Sequence, residues 1–276
     1  MLPVHDFIDS QFSLRIQRRE RLRSRILKDL DLRCKIEMRR SLADLIPKYL
    51  PGMEREIDFY RTFRRFNFVI THIKGRHVLD IGTGHGLLLD LLNSRYSITG
   101  VDIHSKRNDV IRMDTLHLGF KEDIFDTVIM AEVVEHLENP LKGLQEAHRV
   151  IRPGGRLILT TRNLWAAVYL KRAYRQKRLR AYLRNLVSEF WNEAEQDGGW
   201  HLRFRPDYLL ELIREANFEI FQFKALDYAL GRPLLWFTRL LDEYFRSHSF
   251  GNCIGVVGIK RDCVTCTRQE TRQQEC

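Results

Sequence analysis

The run Val78-Leu79-Asp80-Ile81-Gly82-Thr83-Gly84-His85-Gly86 constrains the fold of this chain more than any other stretch. An apolar, strand-like segment ends on an acid and turns through glycines at three alternate positions. It then passes directly into Leu87-Leu88-Leu89-Asp90-Leu91-Leu92, which reads as a helix. Glycine opens turns closed to other residues and lets a ligand lie against main chain where a Cβ would collide. The spacing excludes one common use of such a loop. A dinucleotide fingerprint needs G-x-G-x-x-G, and Leu87 stands where its third glycine would be. Asp80, at the carboxyl end of the strand, is likewise ill-suited to a pyrophosphate.

Around this loop the pattern alternates. Strands are expected at 77–81, 97–101, 110–113, 125–130 and 156–161, with helices near 86–94 and 140–151 between them. A helix over 206–216 and strands over 217–225 and 252–260 complete the series, and Pro153-Gly154-Gly155 signals a turn before the fifth strand. Such alternation predicts an α/β protein, a Rossmann-like doubly wound and mostly parallel seven-stranded sheet with crossover helices. Before it, residues 13–50 read as basic amphipathic helix, and Ile57, Tyr60, Phe63 and Phe66 mark a second helix leading to Lys74-Gly75-Arg76. The expected organisation is a helical N-terminal arm (1–74), a ligand-binding domain (75–262) and a polar tail (263–276). Two insertions interrupt the domain, a helical lid at 163–200 and an apolar helical segment at 228–250.

In an open parallel sheet, ligands bind beyond the carboxyl ends of the strands. Asp80 with Gly82, Gly84 and Gly86 falls there, and so do Asp102 at the end of the second strand and Asp114 after the third. Ala131-Glu132 ends the fourth strand. Any one of these acids alone would pass for a cap or turn residue; their order and gaps together point to one site. With Glu132-Val133-Val134-Glu135-His136-Leu137-Glu138-Asn139-Pro140 and Arg149-Val150-Ile151-Arg152-Pro153-Gly154-Gly155, the stretch 77–163 resembles the core of class I S-adenosylmethionine (SAM) dependent methyltransferases. The most similar subgroup includes quinone-biosynthesis O-methyltransferases and methyltransferases of lipid and glycan pathways. The resemblance implies SAM as cofactor, with Asp102 on the ribose and Asp114 on the adenine.

Methyl transfer from a sulfonium is an in-line displacement for which a protein supplies alignment, a dry site and sometimes a base. Glu132, Glu135 and His136 stand at i, i+3 and i+4, which on a helical turn shares one face. Three readings remain open: His136 as general base for a hydroxyl or phenol, the three residues as ligands of Mg²⁺ or another divalent ion, or a purely structural helix cap. The metal reading draws in His201, because metal-dependent quinone O-methyltransferases and small-RNA 2′-O-methyltransferases look similar in pairing such a run with a later histidine. No Asn/Asp-Pro-Pro-Tyr/Phe motif follows the fourth strand, which argues against methylation of amino groups on bases or glutamine.

The net charge of +10 is unevenly placed: residues 1–76 carry +8 and 164–192 carry +6, while the segment holding the glycines is near neutral. Basic patches favour phosphate, acidic lipid or nucleic acid, although arginines on amphipathic helices are often only solvated. In 164–192, Leu164, Trp165, Val168, Tyr169 and Tyr174 interleave with lysines and arginines. This suits a helix on an anionic membrane surface, or RNA through stacking and phosphate contact. Leu234, Leu235, Trp236 and Phe237 add an apolar segment. The expected acceptor is a small apolar or lipid-linked molecule with a hydroxyl. RNA 2′-O-methylation stands second, and a ligand-binding protein of the same fold without turnover third. Met1-Leu2-Pro3-Val4-His5-Asp6 lacks the form of a signal peptide. The odd count of five cysteines, with Cys263, Cys266 and Cys276 in the tail, fits a cytoplasmic protein with reduced thiols.

Overall fold

A computed structural model describes residues 37, 41, 42, 44, 45, 56–164, 190–194, 200–226 and 253–261, with 56–61, 190–194, 200 and 201 as backbone only. The chain divides into two units, 1–44 and 45–276. In the first, the described residues 37, 41, 42 and 44 are helical. The second holds every element named below.

It opens on α1 (Glu56–His72) and β1 (His77–Ile81), followed by α2 (Leu87–Leu92), β2 (Ser97–Val101), β3 (Val110–Ile111) and β4 (Phe125–Ala131). A 3-10 turn (Val134–His136), α3 (Pro140–Val150) and β5 (Ile151–Arg162) come next, then β6 (Phe190–Ala194), β7 (Trp200–Phe204), α4 (Pro206–Glu215), β8 (Phe218–Ala225) and β9 (Cys253–Lys260). Seven strands form one sheet in the order β3-β2-β1-β4-β5-β9-β8. Its first five strands run parallel, and β9 is antiparallel to both β5 and β8. The expected mostly parallel, doubly wound sheet is therefore the observed one. β1 and β4 are central and almost wholly buried, as parallel strands covered on both faces must be.

The helices that cover the sheet carry their own signals. Asn139 caps α3, its side chain accepting from the Lys142 amide at 3.0 Å, and Pro140 occupies the first turn, where its missing N–H costs nothing. Leu144, Ala147 and Val150 form its buried face. α4 likewise starts on Pro206 and buries Leu209, Leu212 and Ile213. α1 buries Phe68, Val69 and Ile70. Gly255 of β9 makes room for it, since a Cβ there would lie 2.8 Å from the Phe68 ring.

Two elements differ from the sequence expectation. β5 begins at Ile151, not 156: Ile151 pairs with Phe125, the chain bulges through Pro153-Gly154-Gly155 with Gly154 at φ 71°, and pairing resumes at Thr127 with Arg156. The expected turn is thus a bulge within a longer strand. The second is the segment expected as a lid. Residues 165–189 lie outside the described residues, but its end is an antiparallel hairpin, β6 with β7. Asn163 bridges to Phe204, and the Leu164 amide donates to the Phe204 carbonyl at 2.9 Å, fixing β7 to the carboxyl end of β5.

Candidate active site

The glycine loop takes the form its sequence requires. Gly82, Gly84 and Gly86 all have positive φ, at 68°, 56° and 86°, a region costly to any residue with a Cβ. Gly82 has a second reason to be glycine, because a Cβ would strike Val133 just beyond β4. At Gly84 a Cβ would meet nothing nearer than the Gly82 carbonyl oxygen at 4.0 Å, and the residue lines the cleft. The loop is held from beside. Arg107 donates to the His85 carbonyl at 3.3 Å and to Asp90 of α2 at 2.8 Å, and it pairs with Asp109 at 2.6 Å. Asp109 and Asp90 raise the guanidinium's already high pKa.

Asp102 does more than its position suggested. Its Oδ2 accepts from the Gly84 amide at 2.9 Å and its Oδ1 from the His104 amide at 2.7 Å. It therefore ties the glycine loop to the end of β2 while still facing the cleft. Asp114 accepts from the Leu116 amide at 2.9 Å and also lines the cleft. Asp80 is different: it is 2% exposed and is not among the residues lining the cleft. Burial is the main cause that pushes its carboxyl up to about 8; a Thr83 hydrogen bond opposes this and Asp102 reinforces it. The cleft itself, about 1080 Å³, runs from the glycine loop past Asp102 and Asp114 to Glu132, His136 and Glu138.

Beyond β4 the chain does not form the helical face expected for Glu132, Glu135 and His136. Ala131 ends β4 half-buried, Glu132 then takes φ 60°, and a short 3-10 turn follows in place of a helix. The Glu132 carboxylate meets Arg65 of α1, Nη1 to Oε2, at 2.6 Å. Cys253 of β9 donates to its Oε1 at 3.5 Å. Burial and then Glu132 push that thiol's pKa well up, which keeps it a donor. Glu135 is 1% exposed; its Oε2 accepts from the Thr161 hydroxyl of β5 at 2.8 Å, and burial, then Glu132, raise its carboxyl to about 8. His136 is exposed. It lines both the cleft and a second cavity of about 450 Å³ between the turn, the start of α3, β7 and α4.

The structure thus brings Gly82, Gly84, Asp102, Asp114, Glu132 and His136 to one cleft and places Asp80 and Glu135 beneath its walls. Gly86 closes the loop onto α2, where its carbonyl accepts from the Asp90 amide at 3.0 Å. Of the four residues proposed to ligate a divalent ion, three have described side chains. Glu132 is spent on Arg65, Glu135 faces Thr161, and among the described residues no three His, Cys, Asp or Glu side chains gather to hold a metal. For His201 only backbone is described, paired with Glu193. Arg65, Thr161 and Cys253 were not foreseen. Their sequence surroundings are an ordinary amphipathic helix and two ordinary strands, so only the fold shows them at the site.

A doubly wound sheet of this order, with a glycine-rich loop after β1 and acids after β2 and β3, defines a class I SAM-dependent methyltransferase. Residues 37–222 match a family described as a methyltransferase domain, and the chain belongs to that family. Curated relatives include a ubiquinone biosynthesis O-methyltransferase of Alkalilimnicola ehrlichii, 27% identical over 62% of this chain and 70% of the relative. One of the same name from Pseudomonas aeruginosa is 32% identical over 36% of this chain and 49% of the relative, about half its length. Among solved structures, the chain resembles the Burkholderia thailandensis 1,6-didemethyltoxoflavin-N1-methyltransferase bound to its substrate and S-adenosylhomocysteine. There the TM-score is 0.51, with 15% identity over 80% of this chain and 87% of that one. A SAM-dependent methyltransferase from Thermotoga maritima gives a TM-score of 0.50, with 18% identity over 80% and 100%. These two likenesses establish the fold alone.

Proposed function

We propose that this chain transfers the methyl group of SAM to a hydroxyl oxygen of a small apolar or lipid-linked acceptor, with His136 as general base. The observation that carries the reading is the position of His136, which faces the glycine-loop cleft on one side and a largely apolar cavity on the other. The curated relatives named as O-methyltransferases support an oxygen acceptor.

SAM brings an activated methyl, and the chain's own residues bind and align it. The lone pairs that Asp102 does not use on the Gly84 and His104 amides accept the ribose hydroxyls. Asp114 accepts from the adenine amino group. The open side of Gly84 lets the donor lie close to backbone, and Ala131 and Glu132 border it at the end of β4. Asp80, neutral in its buried place below about pH 8, is drawn toward its charged form by a cation in the cleft. In the transfer, the acceptor oxygen attacks the methyl carbon, the carbon–sulfur bond breaks, and its electron pair neutralises the sulfonium. The hydroxyl proton passes to the imidazole of His136. Such a base contributes roughly 10²–10⁴ in rate.

The expectation of an anionic membrane surface rested on residues 164–192 and 231–250, nearly all of which lie outside the described residues. No helix among those described is long and apolar enough to cross a membrane. The test is incubation of the full chain with methyl-labelled SAM, a lipid extract and, separately, total RNA. Label in an apolar, base-stable ether supports the proposal. Label confined to ribose 2′-oxygens of RNA would replace it with the RNA reading, and no label above protein-free blanks in either arm would leave a binding protein without turnover.

A further inference from the structure

Arg107 lies on the loop from β2 to β3 and lines the same cleft as the glycines, yet its donors are already engaged. A guanidinium carries five N–H donors in a fixed fork, and five bonds leave this one. Nε donates to Asp109 Oδ1 at 2.9 Å, and Nη2 donates to Asp109 Oδ2 at 2.6 Å and to Asp90 Oδ1 at 2.8 Å. Nη1 donates to Asp90 Oδ2 at 3.4 Å and to the His85 carbonyl at 3.3 Å. The fork thus joins three pieces of chain: its own loop, the helix α2 and the glycine loop.

Gly86 is shaped to admit that fork. A Cβ on Gly86 would lie 2.5 Å from Arg107 Nη1 and 2.6 Å from its Cζ. The tip of an untethered arginine would swing away from such a methyl group, but two carboxylates hold this one in place. Gly86 is therefore glycine for two reasons, its φ of 86° and the guanidinium packed where a Cβ would be. The loop is also gripped through both kinds of backbone group. Asp102 accepts from the Gly84 amide at 2.9 Å, and Arg107 donates to the His85 carbonyl. Three left-handed glycines within Gly82–Gly86 have wide conformational freedom unless tethered. Each residue left for a ligand to order would cost about tenfold in affinity.

We infer that Arg107 is a positioning residue for the methyl donor: by tying the His85 carbonyl to α2 it fixes the glycine loop before the donor arrives, and donor affinity depends on it although it gives the donor no hydrogen bond. The assignment rests on the reading of this cleft as the SAM site. It also makes that affinity sensitive to salt. The side chains of Arg107, Asp90 and Asp109 are 26%, 29% and 58% exposed, so dissolved ions reach the clamp and screen it. In the sequence the clamp is hidden, because Ser105-Lys106-Arg107-Asn108-Asp109 reads as an ordinary polar turn.

Two measurements on the full chain test it, with Arg107→Ala as the variant. Hydrogen exchange of the unliganded protein, read on a peptide spanning Gly82–Asp90, should be about tenfold faster in the variant, with peptides of β4 and β5 unchanged. Calorimetry with S-adenosylhomocysteine, a net-neutral zwitterion, should show about tenfold weaker binding. Asp90→Asn should weaken binding about threefold alone and add nothing to Arg107→Ala, because the two act as one unit. Arg107→Lys, which keeps the charge and loses the fork, should recover only part of the loss. Gly86→Ala should cost more affinity in the natural chain than beside Arg107→Ala, where the collision is gone. Raising sodium chloride from about 0.05 to about 1 M should weaken binding severalfold in the natural chain and hardly at all in the variant. Unchanged exchange overturns the clamp; faster exchange with unchanged S-adenosylhomocysteine affinity overturns its link to the donor. If the natural chain binds no S-adenosylhomocysteine, the donor reading fails and takes the positioning role with it, while exchange still decides the clamp.

Discussion

The proposed donor side of the cleft, at the carboxyl ends of β1 and β2, is made of backbone, whereas the proposed acceptor side beyond β4 is made of side chains from distant elements. On the donor side, three positive-φ glycines and the amides of Gly84 and His104 converge on one carboxylate, all within a span of 23 residues from Gly82 to His104. On the acceptor side, Glu132 is held by α1 and β9, Glu135 by β5, and the second cavity is closed by β7 and α4. A site made of local backbone is specified by residue type and spacing. A site made of long-range side-chain contacts can change its partners without changing its own motif. The invariant donor and the variable acceptor of a methyltransferase are separated in the same way.

Breaking each side in turn should expose that difference. The largest effect is expected for His136→Ala, which should lower kcat by about 10²–10⁴ while leaving the SAM Kd within about twofold. An unchanged kcat would remove His136 as the base. Next comes Asp102→Ala, on the donor side. Losing the hydrogen bonds that two ribose hydroxyls donate to a charged acceptor, at roughly 1.5–3 kcal/mol each, should weaken SAM by at least about 100-fold in calorimetry. Equal affinity in both proteins would refute the ribose assignment.

Arg65→Met tests whether the acceptor side depends on α1. Without its partner at 2.6 Å, Glu132 should lose its fixed place, lowering kcat about tenfold with SAM affinity unchanged, and Arg65→Lys should recover part of the loss. A fall in melting temperature with kcat intact would make the pair merely structural. The smallest effect concerns Asp80. Burial raises its folded pKa to about 8, well above the ordinary carboxyl range, so the folded state holds a proton that the unfolded state releases. Its contribution to stability therefore falls as pH rises from about 4 to about 8. Melting curves of the unliganded chain across that range should show a downward slope that Asp80→Asn flattens. An identical slope in the variant would mean that Asp80 ionises normally.

The strands, the helices α3 and α4 and the glycine loop were legible because each depends on contacts within a few residues. Apolar runs make buried parallel strands, Asn139-Pro140 caps a helix, and alternate glycines make a left-handed loop. The expectation that Glu132, Glu135 and His136 share a helical face failed because residue spacing assumes a helix. Glu132 at φ 60° and a one-turn 3-10 segment stand where that helix was expected. The hairpin of β6 and β7 was missed for a related reason. Its charged and aromatic residues have no clear period, and it is docked by pairing of Asn163 and Leu164 with Phe204, not by its own composition.

Sequence by itself determined the proposed donor half: the fold class, the glycine loop after β1, and the acids at 80, 102 and 114 in their order. It could do so because a glycine at positive φ and an acid at a strand's carboxyl end carry their meaning locally. Tertiary structure alone decided that Asp80 is buried, that Arg65 and Cys253 hold Glu132, and that Glu135 is buried against Thr161 of β5. Those facts depend on which surfaces meet when α1, β7 and α4 pack around the sheet. Contacts between residues far apart in the chain leave no period or spacing to read.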